Sequence, residues 1–341
     1  MAEKKRLTRR DFLKSTLATG AVMGGGSLLA GSTIAAPAKA PSRKIQLKFA
    51  NHTAPQTTIG QLCDKFAELV KQKSNGEMIV NVYHSAQLGG EKDQIEGVRL
   101  GTVDLGYSSG VIAQWFPAWG VAELPFLYKD YEQACRALSG PFIQAFDLKL
   151  QTLGFRIVGV GANTPRQTLC KKPLRTLADW KGTKIRVPEY PVFIDTFKAL
   201  GAVPTPVAWP EVYNALQSGI AEAVESAVDY LYAGKLYEIC KYLNMTAHII
   251  NSEAIVMSES WFRRQPESVQ KVLLGSGKEV YDFFKTRRLE MANDFIKKMT
   301  DAGVTRIDPD REELNKAVQS VQQSFADKYQ VRDLLEKMRN A

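Results

Sequence analysis

Along the chain, apolar positions switch between two periods. Lys44-Ile45-Gln46-Leu47-Lys48-Phe49-Ala50 places apolar residues at every second position, the spacing of a strand with one buried face. Over Thr58–Lys73 the apolar set is Ile59, Leu62, Cys63, Phe66, Ala67, Leu69 and Val70, which share one face of a helix. Asn75-Gly76 ends that helix, and Met78–Tyr83 is predicted as the next strand. A helix over Glu91–Leu100, a buried strand over 103–108, a helix over 131–150 and a buried strand over 155–160 follow.

The rhythm continues in the second half. Residues 184–187 are predicted as a short strand, 192–200 and 209–218 as helices, and 221–225 as a strand. A helix over 227–242 precedes two consecutive strands, 245–251 and 253–258. A long helical stretch spans 266–300, weakened at Gly275 and Gly277. A last strand over 303–307 leads into C-terminal helices. Alternating strands and helices imply an α/β fold with a mainly parallel sheet covered on both faces. No internal repeat or low-complexity linker divides the chain.

The N-terminus has a different character. Thr8-Arg9-Arg10-Asp11-Phe12-Leu13-Lys14 matches a twin-arginine (Tat) export signal at nearly every position. A weakly apolar, Gly- and Ala-rich stretch runs to residue 36, and Ala36-Pro37-Ala38 offers a small-residue cleavage site. Residues 1–38 therefore form an expected removable signal. Three consecutive glycines argue against a membrane anchor, which needs ~20 predominantly apolar residues.

Removing that segment, which carries six basic and two acidic residues, lowers the net charge of +9 to about +5. The remaining Lys and Arg are interleaved with acids, so no basic stripe points to nucleic acid. Four cysteines, Cys63, Cys135, Cys170 and Cys240, form no C-x-x-C, and the three histidines, His52, His84 and His248, lie far apart. No metal or other cofactor is expected, because such sites need denser ligands. Disulfide pairing cannot be chosen from spacing.

Two arginines stand out against this background. Arg166 lies in Asn163-Thr164-Pro165-Arg166-Gln167-Thr168, and Arg186 in Gly182-Thr183-Lys184-Ile185-Arg186-Val187-Pro188-Glu189. An arginine inside a short apolar strand is costly to bury unless it meets an anion, and its planar fork matches a carboxylate. Pro204-Thr205-Pro206-Val207-Ala208-Trp209-Pro210-Glu211-Val212-Tyr213 follows soon after.

Four segments in register carry a resemblance. Phe66-Ala67-Glu68-Leu69-Val70 leads to Ser85-Ala86-Gln87-Leu88-Gly89-Gly90-Glu91, and Trp180-Lys181-Gly182 runs into Ile185-Arg186-Val187-Pro188. Leu200-Gly201-Ala202 continues through Trp209-Pro210-Glu211-Val212-Tyr213-Asn214-Ala215-Leu216-Gln217-Ser218-Gly219, and Lys235-Leu236-Tyr237-Glu238 comes last. In their order and spacing the chain resembles the DctP-type solute-binding proteins of TRAP (tripartite ATP-independent periplasmic) transporters. The resemblance implies a two-domain, periplasmic-binding-protein-like clamshell with discontinuous domains and a long domain-spanning helix. Domain I is expected over 43–163 plus 252–291, and domain II over 164–251 plus 292–341. It implies a periplasmic protein that captures an organic acid and delivers it to DctQ/DctM-type membrane subunits, without catalysis.

Residue by residue, the resemblance makes Arg186 the carboxylate clamp, Arg166 a second site arginine and Trp209 an aromatic wall. His52 is expected to line the cleft, Glu91 and Ser109 to read hydroxyls, and Glu189 and Phe193 to shape the pocket, with Tyr107 and Trp115 as weaker candidates. The chain departs from the family where many members have Asp-Gly-x-Glu-Asn. Here Glu222-Ala223-Val224-Glu225-Ser226 puts Ser226 at the asparagine position, a shorter donor beside Glu225. That departure leaves the particular acid open. Two other readings keep the same pocket: a subunit presenting ligand to a signalling receptor, and an exported enzyme. Against the latter stands the lack of a nucleophile elbow, phosphate loop or dinucleotide fingerprint.

Overall fold

A computed structural model describes residues 44–341; the expected export signal over 1–38 lies outside the described residues. The described strands are, in order, β1 (Ile45–Ala50), β2 (Met78–Tyr83), β3 (Leu105–Ser108), β4 (Phe155–Ala162), β5 (Gln167–Cys170) and β6 (Lys184–Val187). They continue with β7 (Val203–Pro206), β8 (Ala223–Ser226), β9 (Tyr242–Asn244), β10 (Ser252–Ser258) and β11 (Thr305–Ile307). Two sheets result, one ordered β2-β1-β3-β10-β4 and the other β11-β9-β5-β8-β6-β7.

Each sheet is mixed rather than mainly parallel. β1 pairs in parallel with β2 and β3, but β10 runs antiparallel between β3 and β4. In the second sheet β6 is parallel to β7 and β8, whereas β5 is antiparallel to β8 and β9. The reversed strands are the ones that enter from the opposite lobe. The chain leaves β4, crosses at residues 163–166 and becomes β5; it returns through 245–251 to become β10. A strand that crosses a cleft arrives from the far side and so runs against its neighbours.

The expected strand over 245–251 is therefore irregular backbone, and the ladder forms three residues earlier, at Tyr242–Asn244. The expected helix over 227–242 stops at Ala233, because Lys235 turns to φ 54° and the chain bends toward β9. Residues 131–150 divide at a π turn, Leu138–Phe142, which contains Pro141 and a non-helical Gly140.

A third crossing is helical. Glu267–Lys285 packs Leu273, Val280, Tyr281 and Phe284 into the core around β1 and β3, and Arg288–Asp301 packs Phe295 and Met299 beside Leu169, Val224 and Leu243 of the second lobe. The long stretch breaks between them, not at its glycines. Gly277 is instead a close-approach point: a Cβ there would lie 2.0 Å from the Val158 carbonyl oxygen. At the break, Arg288 donates to the Ala162 carbonyl at 2.8 Å and forms an ion pair with Glu253, so one buried guanidinium ties both strand crossings to the helix. The final helix, Arg332–Arg339, returns to the first lobe, where the Gln133 amide donates to the Arg339 carbonyl.

Candidate functional site

The cleft between the sheets is lined where strands end and loops begin, as open α/β sheets place their ligand sites. Arg186 lies on β6, its Cα opposite Thr205 of β7 and Val224 of β8, and only 4% of its surface is exposed. Its Nε donates to the Val207 carbonyl at 2.9 Å. That bond aims the planar fork and leaves the terminal NH2 groups uncommitted. Among the described residues no carboxylate lies within ion-pair distance of Arg186. Burial drags its pKa down to about 10, against the opposing pull of Glu225. The side chain therefore carries a desolvated charge that lacks a direct partner.

Arg166 is different. Its Nε and one NH2 group grip Glu225 at 2.5 and 2.8 Å, and the guanidinium carbon sits 5.0 Å from the centroid of Phe193. His248 approaches the same carboxylate at 3.3 Å, its other ring nitrogen 2.8 Å from the Thr246 hydroxyl. Burial works to raise the Glu225 pKa, but Arg166 foremost overrides it and holds the carboxyl at about 2. Burial pushes His248 below the usual imidazole range. This triad braces β5 and β8 behind Arg186.

Glu91 opens the helix Glu91–Leu100 and turns to the loop after β3. It accepts from the Ser109 amide at 2.6 Å and the Ser109 hydroxyl at 2.9 Å. His52, just beyond β1, is buried with Nε2 3.8 Å from Glu91 Oε2. Burial lowers its pKa, Glu91 opposes and Arg186 adds to the lowering. Trp209 opens a short 3-10 turn and is half-buried, its edge against Tyr230 with centroids 5.4 Å apart. The Arg186 guanidinium lies over the Trp209 ring at 5.4 Å, within cation–π range. Trp209 thus forms part of the cleft wall while its inner side packs against the apolar cores of both lobes.

Two cavities flank Trp209 and Pro210. One, of about 240 Å³, is lined by Arg186, Glu91, Lys92, Asp93 and Glu189 among others; the second, of about 330 Å³, includes His52, Tyr213 and Tyr230. The structure brings Arg186, Trp209, His52, Glu91 and the exposed Glu189 to these cavities. It does not bring Arg166, Ser109, Phe193, Glu225 or Ser226 to line either one. Phe193 is fully buried beneath Arg166, Ser226 is buried on β8 opposite Gln167, and Ser109 holds Glu91. Glu225 is spent on Arg166 and His248. Tyr107 is buried in the first lobe's core, and Trp115 packs against Phe155.

Sequence reasoning missed His248, Tyr230, Tyr213 and the Val207 carbonyl. No local motif marks His248, whose carboxylate partner is 23 residues away. The carbonyl could have been suspected from Pro204 and Pro206, whose rigid backbone precedes it.

Comparison with known proteins gives a family and a fold. The model of the bacterial extracellular solute-binding protein, family 7 (DctP), matches residues 49–330. The sialic acid-binding periplasmic protein SiaP of Vibrio cholerae is 30% identical over 265 residues, covering 76% of this chain and 81% of that protein. The C4-dicarboxylate-binding periplasmic protein DctP of Rhodobacter capsulatus is 28% identical over 84% of this chain and 85% of that protein. Among solved structures, a TRAP periplasmic solute-binding protein from Ochrobacterium anthropi with bound L-fuconate superposes with a TM-score of 0.82. It is 32% identical and covers 87% of this chain and 99% of that one.

Proposed function

The chain belongs to family 7 of the bacterial extracellular solute-binding proteins, the DctP family of TRAP transporters, with its two-domain clamshell fold, and from that premise we propose that it captures an organic acid through Arg186. The observation that carries this reading is a buried guanidinium, aimed by the Val207 carbonyl, whose terminal donors have no carboxylate partner within ion-pair distance. A ligand carboxylate supplies that partner through two parallel charge-assisted bonds. The relatives support an acid: sialic acid, C4-dicarboxylates and L-fuconate all carry the group.

In this reading Arg166 contributes from behind, holding Glu225 and β8 so that Arg186 keeps its aim. Trp209 stacks on the clamp, and His52 and Glu91 face the ligand from the first lobe. Lobe I comprises 43–163 plus 252–291 and lobe II 164–251 plus 292–341, with the last helix latched back onto lobe I. The lobes close around the acid by bending at the three crossings. The protein works in the periplasm after twin-arginine export, hands its ligand to DctQ/DctM-type membrane subunits and turns nothing over.

A thermal-shift screen of residues 39–341 against organic acids, neutral sugars and amino acids tests this. A ligand that binds only the folded state raises its melting temperature. Shifts confined to carboxylates are expected. A shift from a neutral sugar with none from any acid refutes the clamp.

A further inference from the structure

The two cavities differ in charge in a way that bears on the ligand. On the Arg186 side of Trp209 the walls carry Glu91, Lys92, Asp93 and Glu189 as well as the clamp. On the far side, none of the residues lining the 330 Å³ cavity is Asp, Glu, Lys or Arg. Three aromatic residues wall it instead, Trp209, Tyr213 and Tyr230, with Val212 and Leu236 beside them. Ala233, the last residue of the helix Val228–Ala233, leaves room where a larger side chain would fill it.

Two of the hydroxyls in this chamber are occupied by the protein itself. Thr53 Oγ1 bonds Asn51 and Thr57, and Thr57 Oγ1 bonds the Ala54 carbonyl and the Gly60 amide. The Tyr230 hydroxyl and His52 Nδ1 are buried without a partner and suit an uncharged polar substituent on the ring, not a second charge. His52, which joins both chambers by its approach to Glu91, has its charged form disfavoured by burial, with Glu91 opposing and Arg186 adding to the lowering. With no Lys or Arg in its lining, the chamber offers no fixed cation to a second carboxylate, which would lose its hydration there without compensation. The volume suits a ring: an apolar cavity of about 150 Å³ already holds benzene.

Resting on the Arg186 clamp, we propose that the preferred ligand is an aromatic monocarboxylate, its carboxylate on Arg186 and its uncharged ring beyond Trp209 among Tyr213 and Tyr230. Aromatic side chains recognise a ring by edge and offset stacking, and the divided cleft excludes a distal charge.

Calorimetric titration of residues 39–341 with four probes tests the assignment: phenylacetate, 4-carboxyphenylacetate, lactate and galacturonate. Phenylacetate is expected to bind at least tenfold tighter than lactate or galacturonate, and its second carboxylate to weaken binding at least thirtyfold. Ala233→Leu, placed at a helix end that accepts leucine, should cost phenylacetate about tenfold and lactate less than twofold. Arg186→Ala should abolish binding of both. If Arg186→Ala binds phenylacetate as the parent does, the clamp itself fails, and this proposal with it. If the clamp variant loses binding but 4-carboxyphenylacetate or galacturonate equals or exceeds phenylacetate, the chamber assignment alone is overturned. Equal loss of phenylacetate and lactate in Ala233→Leu overturns it likewise.

Discussion

Replacing Glu225 with Gln isolates the triad behind the clamp. The carboxylate is fully buried and held by two charge-assisted bonds from Arg166, with His248 alongside. Its pKa stands at about 2 against an ordinary value of 4.5. At about 1.36 kcal/mol per unit, the ionised form contributes on the order of 3 kcal/mol of stability at neutral pH. A second argument reaches the same size: breaking a buried pair by removing one partner costs about 3–5 kcal/mol, because Arg166 remains desolvated and unpaired. The folded pKa is depressed, so the contribution is complete above about pH 4.5 and is lost as pH falls toward about 2. Urea unfolding of parent and Glu225→Gln at pH 7.5, 5 and 3 measures it. The variant should be less stable by roughly 3 kcal/mol at pH 7.5, and the gap should narrow at pH 3 as the unfolded parent chain takes up a proton that its folded state still excludes. A gap below about 0.5 kcal/mol at pH 7.5, the size of an exposed pair, or one unchanged down to pH 3, refutes the reasoning.

Glu123 should behave with the opposite sign. Burial raises its pKa to about 8, so the folded state binds a proton that the unfolded chain releases, and stability falls as pH rises from about 4.5 to 8. Glu123→Gln keeps an acceptor for the Ser252 hydroxyl, and its unfolding free energy should exceed the parent's at pH 8 and match it near pH 4; an identical pH profile contradicts this. Gly277→Ala drives a methyl into the Val158 carbonyl, an overpacking cost of about 1–3 kcal/mol. Unfolding within 0.5 kcal/mol of the parent would show that the helix simply lifts away, at roughly the scale of a surface change.

What the amino-acid pattern reveals depends on where partners lie. β1 and the helix Thr58–Lys73 are legible because their apolar period is regular and their caps are local, as where Thr57 accepts from the Gly60 amide. β5 is not, since all four residues, Gln167–Cys170, are buried and no alternation survives. β7 carries two prolines, which are tolerated only because it sits at the sheet edge. The helix break before Arg288 has no proline or glycine to announce it; the distant Glu253 and Ala162 carbonyl hold Arg288 there. Arg186 stands out in the sequence because a guanidinium in an apolar strand demands an anion, and the structure places it buried on a cavity wall. The ion pair that engages Glu225 is not legible, because Arg166 lies 59 residues away.

The central claim is that Arg186 supplies the carboxylate contact, and calorimetric titration of Arg186→Ala and Arg186→Lys with an acid that the parent binds tests it most directly. Two charge-assisted bonds at about 1.5–3 kcal/mol each place the expected loss for Arg186→Ala at a hundredfold or more. Arg186→Lys should recover little of it, because a point charge lacks the fork, and both variants should melt as cooperatively as the parent. Retention of the parent's affinity in a folded Arg186→Ala protein would contradict the account.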